Sequence, residues 1–130
     1  MFGPKFFLQF LVIVGTACAA GAETTYVNPV VKDGADPAVL VDASGTYHLY
    51  VTRWYQTAHY SSPNGASDWS EIQVAYQGDK NNPGWAPTLR KADVRWYLYN
   101  GGAVAVADSP AGPFERLSDD FGFDPMYFED

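Results

Sequence analysis

Two aspartates of this chain stand in the same short context. Ala35-Asp36-Pro37 precedes the apolar run Ala38-Val39-Leu40-Val41, and Phe123-Asp124-Pro125 precedes Met126-Tyr127-Phe128. Trp85-Ala86-Pro87-Thr88-Leu89 repeats the form between them, with Ala86 where the others carry the acid and Trp85 just before it. Two carboxylates brought to one place can divide the work of general acid and general base, and flat amphipathic rings beside them stack on sugars. Proline fixes its own φ, has no N–H and disfavours the α region for the residue before it, so Asp36 is expected to be extended at a strand entry.

The elements that must position these residues are short strands. In the first unit the sequence predicts strands over 37–41, 46–52, about 58–61 and 71–76. Asp42-Ala43-Ser44-Gly45 and Ser62-Pro63-Asn64-Gly65 are the turns, and Arg53-Trp54-Tyr55-Gln56-Thr57 is a loop. The second unit repeats the order, with strands over 87–91, 94–99, 103–107 and 114–117 and a Gly101-Gly102 turn. Tyr47-His48-Leu49-Tyr50 matches Trp96-Tyr97-Leu98-Tyr99, and Ser62-Pro63 matches Ser109-Pro110. After residue 22 no segment holds a 3.6-residue apolar period. A repeat of roughly 40–50 residues with four short antiparallel strands marks a β-propeller blade. The expected fold is therefore all-β: blade 1 at about 36–76, blade 2 at about 86–117, and the first strand of a third at about 123–130.

Antiparallel order alone then sorts the loops. If the first strand of each blade starts on the top face, that face also collects the loops between second and third strands and the linkers between blades. Asp36, Trp85, Asp124, Trp54 and Tyr55 all fall there. With the first strands lining the axis, Asp36 and Asp124 converge on one depression with Trp85 between them. Paired acids with aromatic platforms have the look of a glycosidase site.

The first 22 residues read as a secretory leader: Lys5, the apolar run Phe6–Val14, then small residues ending in Ala20-Gly21-Ala22. Cleavage after Ala22 makes Glu23 the mature N-terminus, with a cut after Ala19 as the alternative. The expected location is secreted or periplasmic. Thr16-Ala17-Cys18 offers a lipoprotein box instead, although Gly15 stands where a larger aliphatic residue is usual. Cys18 is the only cysteine, so no disulfide is expected in residues 23–130. A net charge of −7 disfavours nucleic acid and anionic membrane surfaces as partners, while neutral polysaccharides remain compatible. His48 is expected inside or at the edge of its strand and His59 on a surface loop. Neither has clustered acids at ligand spacing, so no metal and no cofactor are expected. Trp69 and Phe114, at matching positions before the fourth strands, are expected to pack between blades.

Asn28-Pro29-Val30, Ala35-Asp36-Pro37, Tyr47-His48-Leu49-Tyr50, Tyr60-Ser61-Ser62, Trp85-Ala86-Pro87, Ala107-Asp108-Ser109-Pro110-Ala111-Gly112-Pro113-Phe114 and Phe123-Asp124-Pro125, in this order and spacing, resemble glycoside hydrolase family 43. The resemblance implies a five-bladed propeller of β-xylosidase, α-L-arabinofuranosidase or arabinanase type, with a carbohydrate substrate such as xylan or arabinan side chains. It implies an inverting two-carboxylate mechanism with Asp36 as general base and Asp124 as the acid-orienting, pKa-tuning carboxylate. Trp85, Trp54 and Tyr55 would bind substrate. The family's general-acid Glu is expected beyond the third-blade entry. Glu129 lies on the strand after Asp124 and is no substitute, so residues 23–130 alone are expected to be inactive and to self-associate through unclosed blades. A retaining fructoside hydrolase is the related alternative, but it would carry Asn-Asp-Pro-Asn-Gly and Arg-Asp-Pro, where this chain has Ala-Asp-Pro-Ala-Val and Phe-Asp-Pro. From a different class, a non-catalytic sugar-binding or structural propeller piece is the competing reading.

Overall fold

A computed structural model describes residues 28–118, Gly122 and Pro125. The leader, Cys18 and the Asp124 side chain lie outside the described residues. Eight strands form two antiparallel sheets: β1 (Ala35–Val41), β2 (Tyr47–Arg53), β3 (Gln56–Ser62) and β4 (Gln73–Gln77), then β5 (Thr88–Ala92), β6 (Arg95–Asn100), β7 (Ala103–Ala107) and β8 (Glu115–Ser118). Each sheet is a meander in sequence order, and β1 lies beside β5. There is no helix among the described residues, as the missing 3.6-residue period predicted.

Strand alternation explains how the sheets meet. Successive side chains of a strand point to opposite faces. In β2, Tyr50 enters a core shared by both sheets with Ala75, Tyr76, Trp96, Leu98, Ala105, Ala107 and Phe114. Leu49 and Val51 point the other way, into a second cluster with Ala58, Val31, Tyr60 and Trp69. Phe114 therefore packs between the sheets, whereas Trp69 packs against the face of the first sheet that looks away from the second. Polar bonds close the shared seam. Tyr50 Oη donates to the Pro110 carbonyl at 2.7 Å, the Phe114 N–H to the Ala75 carbonyl at 2.7 Å, and Arg116 Nε to Tyr76 Oη at 3.0 Å.

Three local expectations are corrected. The Arg53–Thr57 loop shrinks to a two-residue hairpin tip, Trp54-Tyr55, because Arg53 already pairs with Gln56. Asp36 is not extended: its φ is +49°, inside a register shift between Ala35 and Ala38 where β1 pairs with β2. A bulge carries an extra residue that one ladder cannot absorb, and aspartate is among the side chains that tolerate the left-handed region. His59 is not on a surface loop. It lies in β3 and is 2% exposed, because strand alternation turns its ring inward against His48 and Tyr50.

His59 there belongs to a buried polar chain. His59 Nε2 lies 2.9 Å from His48 Nδ1, and His48 Nε2 lies 3.2 Å from Asp42 Oδ2. A carboxylate only accepts, so with one proton per ring His48 donates to Asp42 and His59 donates to His48. That tautomer leaves His59 Nδ1 as a buried acceptor with no partner of standard geometry. Burial, then the neighbouring His48, lower the His59 pKa to about 4, with Gln73 across the β3–β4 pair partly offsetting them. Asp42 is held well below the usual carboxylate range, first by the Ser44 hydroxyl and then by His48.

Candidate functional site

Residues 36–38 at the start of β1 and Ala86, Pro87 and Thr88 at the start of β5 line one depression of about 340 Å³, with Pro125 on its wall. Pro37, Pro87 and Pro125, the prolines of the three repeated motifs, thus meet at one place. Asp124 immediately precedes Pro125, but its side chain lies outside the described residues.

Asp36 is exposed at the rim, and its Oδ2 accepts a 2.8 Å hydrogen bond from Thr52 Oγ1 at the end of β2. Thr52 Oγ1 also accepts the Ala86 N–H at 2.9 Å. Ala86 has φ +48°, nearly the value at Asp36, so the residue before proline takes the same left-handed turn in both sheets. Asp36 Oδ1 accepts no hydrogen bond from any described residue. One carboxylate oxygen is anchored and the other has no partner among the described residues, which suits a base that takes a proton from a positioned water.

The aromatic residues form a separate group next to this depression. Trp54 is 83% exposed at the β2–β3 tip with φ +57°, a strained conformation for a large side chain. Its carbonyl accepts a short hydrogen bond from Trp85 Nε1. The Tyr55 and Trp85 rings stack, with centroids 6.3 Å apart and planes inclined by 16°. The Tyr55 carbonyl accepts the N–H groups of Gly78 and Gly84 at 3.0 and 2.9 Å, and Thr57 Oγ1 donates to the Gly84 carbonyl at 2.9 Å. The linker between sheets is therefore stitched to the hairpin tip. Its glycines are required by space, since a Cβ at Gly84 would lie 2.6 Å from the Thr57 nitrogen and one at Gly78 would lie 2.5 Å from the Tyr55 carbonyl oxygen.

Trp54 also borders a second depression of about 590 Å³, with Lys32, Asp33, Gly34, Ala35, Thr52 and Arg53. Thr52 thus stands between the two hollows. Sequence reasoning did not single out Thr52, although counting back through the β1–β2 hairpin from the Asp42–Gly45 turn sets it opposite Asp36. Among the described residues no group of three His, Cys, Asp or Glu side chains could hold a metal ion.

The comparisons with known proteins agree with this architecture. In solved structures the chain is similar to an endo-arabinase from Bacteroides thetaiotaomicron VPI-5482, at 25% identity and a TM-score of 0.57, over 68% of this chain and 36% of that one. It is also similar in fold to a protein assigned as an exo-beta-1,3-galactanase from Bifidobacterium bifidum s17, at 17% identity and a TM-score of 0.55, over 72% of this chain and 39% of that one. The chain thus spans well under half the length of either protein. No curated protein matches it. The two meandering sheets form part of a β-propeller, and the model for glycosyl hydrolases family 43 matches residues 26–130. With residues 26–130 of its 130 residues covered by that match, the chain belongs to glycosyl hydrolase family 43.

Proposed function

We propose that this chain is the part of an inverting glycoside hydrolase that supplies the general base. The observation that carries the reading is the Asp36 carboxylate at the rim of the depression where the starts of β1 and β5 meet Pro125, with Oδ2 tied to Thr52 and Oδ1 without a partner among the described residues. In the proposed mechanism Asp36 removes a proton from a water that attacks the anomeric carbon from the face opposite the leaving group. The leaving oxygen takes its proton from a carboxylic acid outside the described residues, and Asp124 orients that acid. An inverting pair stands roughly 6.5–9.5 Å apart to leave room for the water. Trp85, Trp54 and Tyr55 form the sugar platform beside the cleft.

Arabinan or xylan side chains are the proposed substrates, a choice supported by the family and by the likeness to an endo-arabinase. The leader supports export, with Glu23 as mature N-terminus; N-terminal sequencing that finds Met1 or a lipidated Cys18 overturns that part. The test of function is hydrolysis of 4-nitrophenyl α-L-arabinofuranoside and β-D-xyloside, and of arabinan and xylan, by the intact protein and its Asp36→Ala variant. Turnover that falls about 10²–10⁴-fold in the variant supports the assignment. Sugar binding without any hydrolysis favours the non-catalytic reading, and undiminished turnover in Asp36→Ala removes Asp36 from the reaction.

A further inference from the structure

We propose that Thr52 is a positioning residue for the base. It would hold Asp36 with one oxygen presented to the attacking water and lock that carboxylate to the second blade. The inference rests on the reading of Asp36 as the general base.

The hydrogen-bond geometry leaves the Thr52 hydroxyl no alternative. Its single proton can go only to an acceptor, and the Ala86 N–H at 2.9 Å is a donor. The proton therefore goes to Asp36 Oδ2 at 2.8 Å. Thr52 sits near the end of β2, a strand paired along both edges, and its β-branched side chain is stiff at χ1. The hydroxyl is thus a fixed point on a rigid element. Asp36 and Ala86 are not: both are non-glycine residues at φ near +50°, in irregular backbone just before a proline. Two strained strand entries, one from each sheet, are joined through one oxygen atom.

The consequence for chemistry is directional. A carboxylate on an exposed bulge without the Thr52 bond rotates about χ2 and offers either oxygen to bulk water. With Oδ2 held, Oδ1, which has no partner among the described residues, is the oxygen left to take a proton, and a base must sit within hydrogen-bond reach of the proton it takes. A misplacement of about 1 Å can cost on the order of 10²-fold in rate. The same oxygen relates the base to the aromatic platform, because Ala86 follows Trp85, whose Nε1 is bonded to the Trp54 carbonyl. Base and platform are therefore set in register across the seam between blades.

The test compares Thr52→Val, which keeps the shape and removes both bonds, with Thr52→Ser, which keeps both bonds and loses a methyl group. Each is made in the intact protein, in wild-type and Asp36→Asn backgrounds, and assayed on the 4-nitrophenyl glycoside the wild type cleaves fastest. The expected result is a loss of about 10–100-fold in kcat for Thr52→Val with KM changed less than about 3-fold. Thr52→Ser stays within about 3-fold of wild type. In the Asp36→Asn background Thr52→Val causes no further loss, because the group it positions is gone. If Thr52→Val does not fold, Thr52→Ala takes its place. A merely structural role predicts lowered thermal stability with kcat per folded molecule intact, and that result overturns the inference while leaving the base assignment standing. Equal losses in the serine and valine variants overturn it as well. An Asp36→Asn variant with wild-type kcat overturns both the base assignment and the inference built on it.

Discussion

At the scale of single residues the buried chain Asp42–His48–His59 gives the fold a defined response to acid. The His59 pKa of about 4 in the folded chain lies below the ordinary histidine value of 6.5. The unfolded chain therefore binds a proton first as pH falls, and stability is lost progressively between about 6.5 and 4. Above pH 6.5 neither state binds it and the effect vanishes. Asp42 acts in a lower window, since a depressed carboxylate withdraws its contribution only below its unfolded value, near the model 3.8. Urea denaturation is thus expected to show a fall of about 1–2 kcal/mol from pH 7 to pH 5, discounted for residual solvation of the ring. A His59→Gln variant should flatten that slope, and an unchanged slope would remove His59 as its source. None of this was legible in the sequence. His59 falls within the strand predicted over about 58–61, but a polar side chain among polar neighbours gives no sign in the sequence that it faces inward. Thr52 was missed for a different reason: its place opposite Asp36 follows from the hairpin register, and no motif within β2 announces it.

At the scale of elements, turns and linkers decide where the site residues sit. The turn signals were readable because glycine pairs with positive φ: Gly101 and Gly102, at +39° and +97°, join β6 and β7 with the two-residue loop their sequence predicts. The Trp54-Tyr55 tip was not readable, because it puts an aromatic residue where glycine, asparagine or aspartate is usual. Strain at an exposed tip is kept only where the surroundings hold it, and here Trp85 and the 78–84 linker do so. Two glycine substitutions separate the costs involved. Gly45→Ala meets no atom within 4 Å but must adopt φ +86°, so a loss of about 1 kcal/mol is expected. Gly84→Ala must push a Cβ into the β3 backbone, and a larger loss, about 2–4 kcal/mol, is expected together with displacement of Trp85. Thermal denaturation of both variants checks the order; a reversal would mean the linker yields and does not hold the platform.

At the scale of the molecule, two blades share one core, but among the described residues nothing covers the outer edge of the far face of the first sheet. Val39 and Val41 on β1 are 60% and 50% exposed, and a depression of about 390 Å³ runs past Val31, Val39, Leu49, Val51 and Trp69. An open apolar face and free strand edges favour association. A polypeptide of residues 23–130 made alone is expected to sediment as dimers or larger species and to hydrolyse no glycoside, whereas a monodisperse monomer would show the exposed face to be tolerated. The repeat of strand entries gave away the two blades, because turn chemistry and period are local. The central claim, that Asp36 is the base of an inverting hydrolysis, is tested most directly by proton NMR of the first sugar released by the intact protein and by its Asp36→Asn variant. The wild type is expected to release the anomer opposite to that of the substrate bond, before mutarotation, and Asp36→Asn to release it about 10²–10⁴-fold more slowly. Release of the retained anomer, or unchanged release by Asp36→Asn, would contradict it.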